Sequence, residues 1–397
     1  MVDSSWSILE DRHQRSQESK RLFLEDSPAP GWQLVEVADW ASLRTLLETA
    51  QKTKTPLWMS KGPRPLESEG MMVRMAPDAV LPQPRLDRSS LLLHCDTRHS
   101  LETLESFARI EGLTAGFRPH PVKTLLEWIQ QSYVTVMDSC SGEPVSRMVG
   151  CAALLPDGQP MRLGRAPHSA VGPDLKTLYW GTCGALGVMT RATLRLRRIS
   201  SSMTFWKLRF ENWASMTTFV QSIVRARQYP VDTRAELLSS SQEVTLSLRV
   251  NPLQTPLTQR LCQKHPESQE LLASHFGQPR RKPLWLRLDA PWKTIGELPE
   301  LIYKTSPFEV LSISLVHLTH EQGVTLVELG YRSSLEEQIP KMANWIRELQ
   351  EYGVTSKADN RLLPWTTLHP YRREVLTRIK RELDPAFVLN SHLFVEN

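Results

Sequence analysis

The sequence is poor in cysteine. Its 5 cysteines, Cys95, Cys140, Cys151, Cys183 and Cys262, form no C-x-x-C pair and are odd in number. That argues against a disulfide scaffold or a zinc cluster and for a reducing compartment. No apolar run reaches the roughly 18 residues that a membrane-spanning helix needs. Met1–Lys20 mixes acidic and basic side chains with no apolar stretch, so no secretory signal is expected. Long basic tracts are missing as well. Lys and Arg total 48 against 43 Asp and Glu, a net charge of +5, and the signs alternate along the chain, so no nucleic-acid-binding arm is expected. There is no G-x-G-x-x-G, P-loop, nucleophile elbow or paired-carboxylate glycosidase pattern. These absences leave a cytoplasmic protein as the expectation, at a membrane only through a partner.

What remains is globular. Hydrophobic residues make up 40% and charged residues 23% of the 397, a length that usually divides into more than one core. The 12 tryptophans imply large buried contacts, each with one N–H that needs an acceptor. After a polar lead ending in Ser27-Pro28-Ala29-Pro30, Val35-Glu36-Val37 alternates as a strand does. Trp40, Leu43, Leu46, Leu47 and Ala50 then recur at helical spacing to Gln51. Pro56–Met59 reads as a strand stopped at Lys61-Gly62-Pro63. Ser90–Cys95 is a second strand. Ser100 caps a helix running to Ile110, with Gly112 as its C′ residue. Val134–Met137, Val149–Leu155 and Ala192–Leu196 read as further strands, and Pro156-Asp157-Gly158-Gln159 is a hairpin turn.

Residues 203–352 carry a weak internal repeat. One half gives a strand (Thr204–Phe210), a helix (Trp213–Gln228), two strands (Arg234–Leu238, Val244–Val250) and a helix (Leu257–Phe276). The other gives Leu284–Leu288, Ile295–Lys304, Glu309–Val316, Val324–Tyr331 and Leu335–Tyr352 in the same order. Each half is β-α-β-β-α, and alternation in Val244–Leu248 and Val310–Leu315 predicts antiparallel strands with one buried face. The two units side by side would make one sheet covered by helices on one face. Gly277–Pro283 reads as a linker whose Arg-Arg-Lys run is solvated. A last helix, Tyr371–Leu383, is stopped by Asp384-Pro385.

The segment richest in chemistry is Gly181-Thr182-Cys183-Gly184-Ala185-Leu186-Gly187-Val188, three glycines at intervals of three leading into a strand. Glycine admits positive φ and lets backbone approach a ligand closely, and successive N–H groups in such a turn can hold an anion. A tight turn packed on a neighbouring strand explains the same spacing. Extended to Leu194, the segment resembles the glycine-rich signature of the vanillyl-alcohol oxidase / p-cresol methylhydroxylase flavoprotein superfamily, G-S-E-G-T-L-G-I-I-T-E-A-T-L. Pro156-Asp157-Gly158 resembles that family's L-P-D-G hairpin, and Lys380–Asn390 its C-terminal K-x-x-D-P segment ending in L-N. Among members the chain is most similar to the FAD-binding subunit of glycolate oxidase.

The resemblance implies an α+β fold: a two-part FAD-binding domain over 31–200, and a cap of two β-α-β-β-α units over 201–355. A polar arm (1–30) would precede them, and a C-terminal segment (356–397) would return to the first domain. It implies FAD as cofactor, held by Gly181, Thr182, Gly184, Ala185, Leu186, Gly187, Val188 and Asn390, with Lys61 and Gly62 in the pyrophosphate loop. It also implies hydride transfer from a 2-hydroxy acid or similar donor, in a heteromeric complex with a second flavoprotein and an iron–sulfur partner.

The departures point the other way. The family's R-G-G-G-T/S loop stands here as Met59-Ser60-Lys61-Gly62-Pro63-Arg64-Pro65, with prolines that have no N–H to donate. Its T-x-G-G stands as Thr124-Leu125-Leu126-Glu127, where a carboxylate would repel a pyrophosphate. Cys183 replaces an acidic residue, and Ser391-His392 follows Asn390 in place of Pro-Gly. No histidine is assignable to a covalent flavin link. His317-x-x-His320 reads as a solvated strand-end pair and carries no metal assignment. Glu328 and Arg332 share one strand face by even spacing, and an arginine there suits a hydroxy-acid carboxylate. No catalytic residue is assigned. The alternative is a pseudoenzyme that keeps the fold, has lost FAD and serves as a structural subunit.

Overall fold

The computed structural model describes residues 7–8, 31–59, 69–76, 81–117, 124–131, 144–164, 174–199, 203–230, 232–238, 243–251, 255–271, 284–318, 322–330, 335–356 and 370–390. The expected strand Val134–Met137, the polar arm beyond 7–8, the linker 277–283 and the Lys61-Gly62 loop lie outside the described residues.

The chain is a mixed helix and sheet protein. In the first sheet, strand Gly70–Met75 lies between Trp32–Val37 and Leu57–Met59 and runs parallel to both. Helix Trp40–Thr53 joins Trp32–Val37 to Leu57–Met59, and Ser7–Ile8 pairs on the other side of Trp32–Val37. The Asp39 carboxylate accepts from Ser42 N at 2.8 Å as its N-cap. Its apolar stripe, Leu43, Leu46, Leu47 and Ala50, is buried. The second sheet has the order Arg85–Asp87, Leu92–Asp96, Val188–Arg195, Met148–Leu154, Pro160–Leu163, antiparallel throughout. Its last hairpin turns at Pro156–Gln159, closed by Leu155 N donating to Gln159 O at 2.9 Å. Helix Leu101–Ile110 is capped by Ser100.

One apolar cluster bonds the two sheets. It contains Leu43, Leu47 and Leu57 from the first with Leu154 and Val188 from the second, and adds Val388 and Leu389 from near the C-terminus. A polar clamp fastens the same joint. Asp96 accepts from Trp40 Nε1 at 2.7 Å and from Arg98, whose guanidinium lies 4.9 Å above the Trp40 ring.

The third sheet has eight strands, in the order Ser268–Leu271, Thr204–Phe210, Val244–Val250, Asp232–Leu238, Glu309–Leu318, Gln322–Gly330, Leu284–Pro291, Thr355–Ser356. All pairs are antiparallel. The order is a palindrome: each half contributes the same succession, and the second strands of the halves meet at the centre. Helices Trp213–Arg225, Leu298–Thr305 and Leu335–Glu351 press Met216, Val220, Ile302, Trp345 and Ile346 onto one face of it.

Two helices are shorter than their periodicity predicts, and each gains a successor. The helix expected over Leu257–Phe276 spans Pro256–Lys264 and is followed by edge strand Ser268–Leu271. Pro266 disfavours α conformation at His265, which is extended at φ −70° and ψ 128°. The helix expected over Ile295–Lys304 is a turn, Trp292–Ile295, then a new helix Leu298–Thr305 with Pro299 in its first turn, where a missing N–H does no harm. Each half of the repeat is therefore β-α-β-β-α-β.

The opposite face of this sheet is polar and partly covered. On strand Leu284–Pro291, Arg287 and Asp289 alternate with core residues Leu286, Leu288 and Ala290. The arginine donates bidentately, Nε to Oδ1 at 2.7 Å and Nη2 to Oδ2 at 2.9 Å, with only 7% and 1% of the two side chains exposed. Removing one member of a buried pair strands the other charge. Asp289→Ala is expected to lower stability by about 3–5 kcal/mol, read as a lower urea midpoint. The double change Arg287→Met/Asp289→Leu is expected to recover most of that loss.

Candidate functional site

The glycine segment is a buried loop between a 3-10 turn, Leu175–Tyr179, and strand Val188–Arg195. Thr182, Cys183, Ala185, Leu186 and Val188 are all buried. Alternate N–H groups of the loop are used within the protein. Gly181 N donates to Ile129 O at 2.8 Å, Cys183 N to Gln130 O at 3.1 Å, Ala185 N to Thr182 O at 2.9 Å and Gly187 N to Gly184 O at 3.1 Å. Among the described residues, the N–H groups of Thr182, Gly184 and Leu186 have no acceptor. Beside them the Gln130 side-chain amide nitrogen is buried without an acceptor, 3.0 Å from where a Gly184 Cβ would stand. An unpaired buried donor costs free energy until something accepts from it. This row of donors therefore suits a ligand rich in carbonyl oxygens or ring nitrogens.

The glycines themselves answer to protein packing. A Cβ on Gly187, whose φ is +135°, would lie 2.6 Å from Leu154 O and 3.0 Å from the Tyr179 ring. A Cβ on Gly184, at φ +79°, would meet Gln130 Nε2. The close approach that glycine permits is to a strand and a side chain of this chain, so bulk at Gly187 breaks packing before it touches any ligand.

The C-terminal segment holds the loop in place. Asn390 donates from Nδ2 to Cys183 O at 2.6 Å and accepts at Oδ1 from Met59 N at 2.9 Å. Its own N–H donates to Leu57 O at 2.8 Å. Lys380, on helix Pro370–Leu383, is 0% exposed. Its ammonium donates to Ala185 O at 2.7 Å, to Asp384 Oδ2 at 2.6 Å and to Leu389 O. Asp384 accepts further from Gln51 Nε2, Val388 N and Leu389 N at 2.6, 3.0 and 2.9 Å. Burial pushes the Lys380 ammonium down to about 8, against the pull of Asp384. For Asp384 burial pushes upward, but the Lys380 charge and the donated hydrogen bonds outweigh it and hold the carboxyl below its ordinary value.

At Thr124–Gln131, which the resemblance sets beside the pyrophosphate, the structure shows a capped helix start. Thr124 and Glu127 form a capping box: Glu127 N donates to Thr124 Oγ1 at 3.2 Å and Thr124 N to a Glu127 carboxylate oxygen at 3.4 Å. Leu125 N donates to His99 O, Leu126 N to Thr97 O and Trp128 N to Thr124 O. Every N–H of this first turn is thus spent on protein acceptors. Leu125 and Leu126 are core residues, and Trp128 stacks edge-on with Phe117 and Trp180 at 5.1 and 4.7 Å.

The structure brings Gly181, Thr182, Gly184, Ala185, Leu186, Gly187, Val188 and Asn390 together. Lys61, Gly62, His320 and Arg332 lie outside the described residues. His317 and Glu328 are placed only by their strands, Glu309–Leu318 and Gln322–Gly330. Among the described residues no His, Cys, Asp and Glu group has the makings of a metal site. Cys95, Cys151, Cys183 and Cys262 are buried free thiols, and burial pushes those of Cys151 and Cys262 up to about 11 and 12, away from nucleophilic use. No described helix is long and apolar enough to cross a membrane. Sequence reasoning missed the roles of Gln130, Lys380 and Asp384. The last two stood in the quoted C-terminal motif at i, i+4 spacing, but nothing local marked them as buried.

No protein-family model matches the chain. Over 98 residues it is 30% identical to the FAD-linked oxidoreductase YgcU of Escherichia coli K12, covering 24% of this chain and 20% of that one. Over 151 residues it is 23% identical to the alkyldihydroxyacetonephosphate synthase of Caenorhabditis elegans, covering 38% and 25%. The chain thus matches about a quarter or less of the length of these curated relatives. Structural similarity reaches much further. The 4-ethylphenol oxidase of Gulosibacter chungangensis superposes with a TM-score of 0.71 at 12% identity over 92% of this chain and 90% of the other. An alkyldihydroxyacetonephosphate synthase structure superposes with a TM-score of 0.69 at 12% identity, over 91% and 77%.

Two measurements check the packing argument. Gly187→Val is expected to lower the melting temperature of protein free of any flavin, since the clash with Leu154 O needs no ligand. An unchanged melting temperature contradicts it. Because Asp384 is lowered from 3.8, its contribution to stability is complete above that pH and is lost as the pH falls through its folded value. Urea titrations between about pH 6 and pH 2 are expected to show a steeper acid loss for wild type than for Asp384→Asn.

Proposed function

We propose that this chain, which has the fold of the p-cresol methylhydroxylase-type FAD-linked oxidoreductases, is a flavin-binding subunit of an oxidoreductase acting on a 2-hydroxy acid or a similar donor. The observation that carries the reading is the row of buried donors without acceptors: the N–H groups of Thr182, Gly184 and Leu186 and the Gln130 amide nitrogen. These groups fit the acceptor-rich edge of a flavin ring, and Ala185, Gly187 and Val188 would form the wall behind it. Bound FAD would supply the two-electron acceptor that the side chains lack. The protein's own part is to orient that group and exclude water, through a loop that Asn390 and Lys380 hold rigid. Assembly with a second flavoprotein and an iron–sulfur partner, and a cytoplasmic setting, belong to the same proposal and rest on the resemblance to glycolate oxidase subunits.

One observation favours a second reading. The helix turn at Thr124–Trp128, the counterpart of the family's T-x-G-G, keeps no N–H free for a phosphate. On that reading the fold serves as a structural subunit without cofactor.

Addition of FAD to the purified chain decides between them. Saturable quenching of flavin fluorescence at one FAD per chain, with visible absorbance that follows the protein through gel filtration, is the result expected. Anaerobic bleaching of that absorbance by a 2-hydroxy acid would extend it to substrate. A chain that takes up no FAD overturns the first reading and leaves the second.

A further inference from the structure

The Lys380 ammonium touches the glycine loop, the C-terminal segment and the last helix together. Lysine has three N–H donors and no acceptor. Here all three donors meet acceptors on different parts of the chain: Ala185 O in the loop, Asp384 Oδ2 at the helix end and Leu389 O in the strand-like tail. Asp384 closes the circuit through the N–H groups of Val388 and Leu389 and through Gln51. Gln51 also donates to Pro156 O at 3.3 Å, in the hairpin that follows the Leu154 strand. Leu154 O is the atom against which Gly187 is pressed. The tail is tied to the first sheet as well, with Leu57 N donating to Val388 O at 2.8 Å and Asn390 N to Leu57 O at 2.8 Å.

We propose that Lys380 and Asp384 are positioning residues that couple docking of the tail, residues 384–390, to occupancy of the glycine loop. The proposal rests on FAD as the occupant of that loop and deepens that reading. If the tail leaves, the Ala185 carbonyl loses its charged donor and the Cys183 carbonyl loses Asn390, so the loop has no fixed curvature to offer a ring. Coupling between sites is reciprocal. FAD on the loop must therefore tighten the tail by the factor by which the tail tightens FAD.

Two readouts on the full-length chain test this. Hydrogen exchange of the Val388, Leu389 and Asn390 amides is expected to slow when FAD is added to wild type. Fluorescence titration of the double variant Lys380→Met/Asp384→Asn, which removes both charges and so leaves neither stranded, is expected to show FAD affinity reduced by about tenfold or more. Circular dichroism would confirm that this variant is folded. Should it fail to fold, the exchange experiment on wild type decides alone. Wild-type FAD binding without any change in tail exchange, or with the variant's affinity intact, overturns the coupling and leaves the flavin reading standing. Failure of wild type itself to take up FAD overturns both.

Discussion

The ammonium of Lys380 is fully removed from water, and a charge in that position is tolerable only while it stays paired and hydrogen-bonded. Its acceptors come from the glycine loop, from the end of its own helix and from the tail. Withdrawal of Asp384 strands a buried charge and withdrawal of either carbonyl leaves an ammonium donor unmade, so joint closure of these segments is favoured. Gln51 extends the requirement to helix Trp40–Thr53 and the Pro156 hairpin. The joint between the two N-terminal sheets is thus set by apolar contact among Leu47, Leu154, Val188 and Leu389 and made specific by two polar links, the Lys380–Asp384 pair and the Asp96 clamp on Trp40 and Arg98. Apolar burial supplies most of the stabilisation and tolerates sliding. The polar links favour the register in which their buried partners meet.

The third sheet has a different interior. One face is dry and continuous, from Trp206 across Leu246, Ile313 and Val327 to Leu286. The other carries Ser312, Ser314, Arg287 and Asp289, all buried. A sheet with one wet face needs no such burial of hydroxyls and charges. The polar side chains of this face give the sheet chemistry that the apolar face cannot offer.

Local rules carried far into the fold. Period-two alternation located Thr204–Phe210 and Val244–Val250 at their observed bounds, because each strand buries one face in the same core. Helix ends were less legible. Pro266 ends a helix inside an apolar period that continues past it, and the period across Ile295–Lys304 is divided at Gly296-Glu297, ahead of Pro299. Thr124–Glu127 is a capping box by its own spacing, yet read through the resemblance it looked like a damaged phosphate loop. The glycine loop was visible as a loop, but the reason for Gly187 lies on Leu154, more than thirty positions earlier, and no local pattern holds such a contact. Buried polar partners such as Lys380 with Ala185 are legible only once the tail is known to return.

The palindromic strand order has a consequence for the edges of the sheet. A sheet edge is a row of unpaired N–H and C=O groups, open to pairing with another chain. Each half of the repeat, standing alone, would expose the full length of Asp232–Leu238 or Glu309–Leu318. Pairing those two strands at the centre, Ala235 to Leu315 through Leu238 to Ser312, turns both would-be edges into interior. Among the described residues the outermost strands are Ser268–Leu271 and Thr355–Ser356, four and two residues long, the latter paired to Leu288 and Asp289 alone on strand Leu284–Pro291. Pairing at the centre thus moves the open row from the middle of the sheet to its margins.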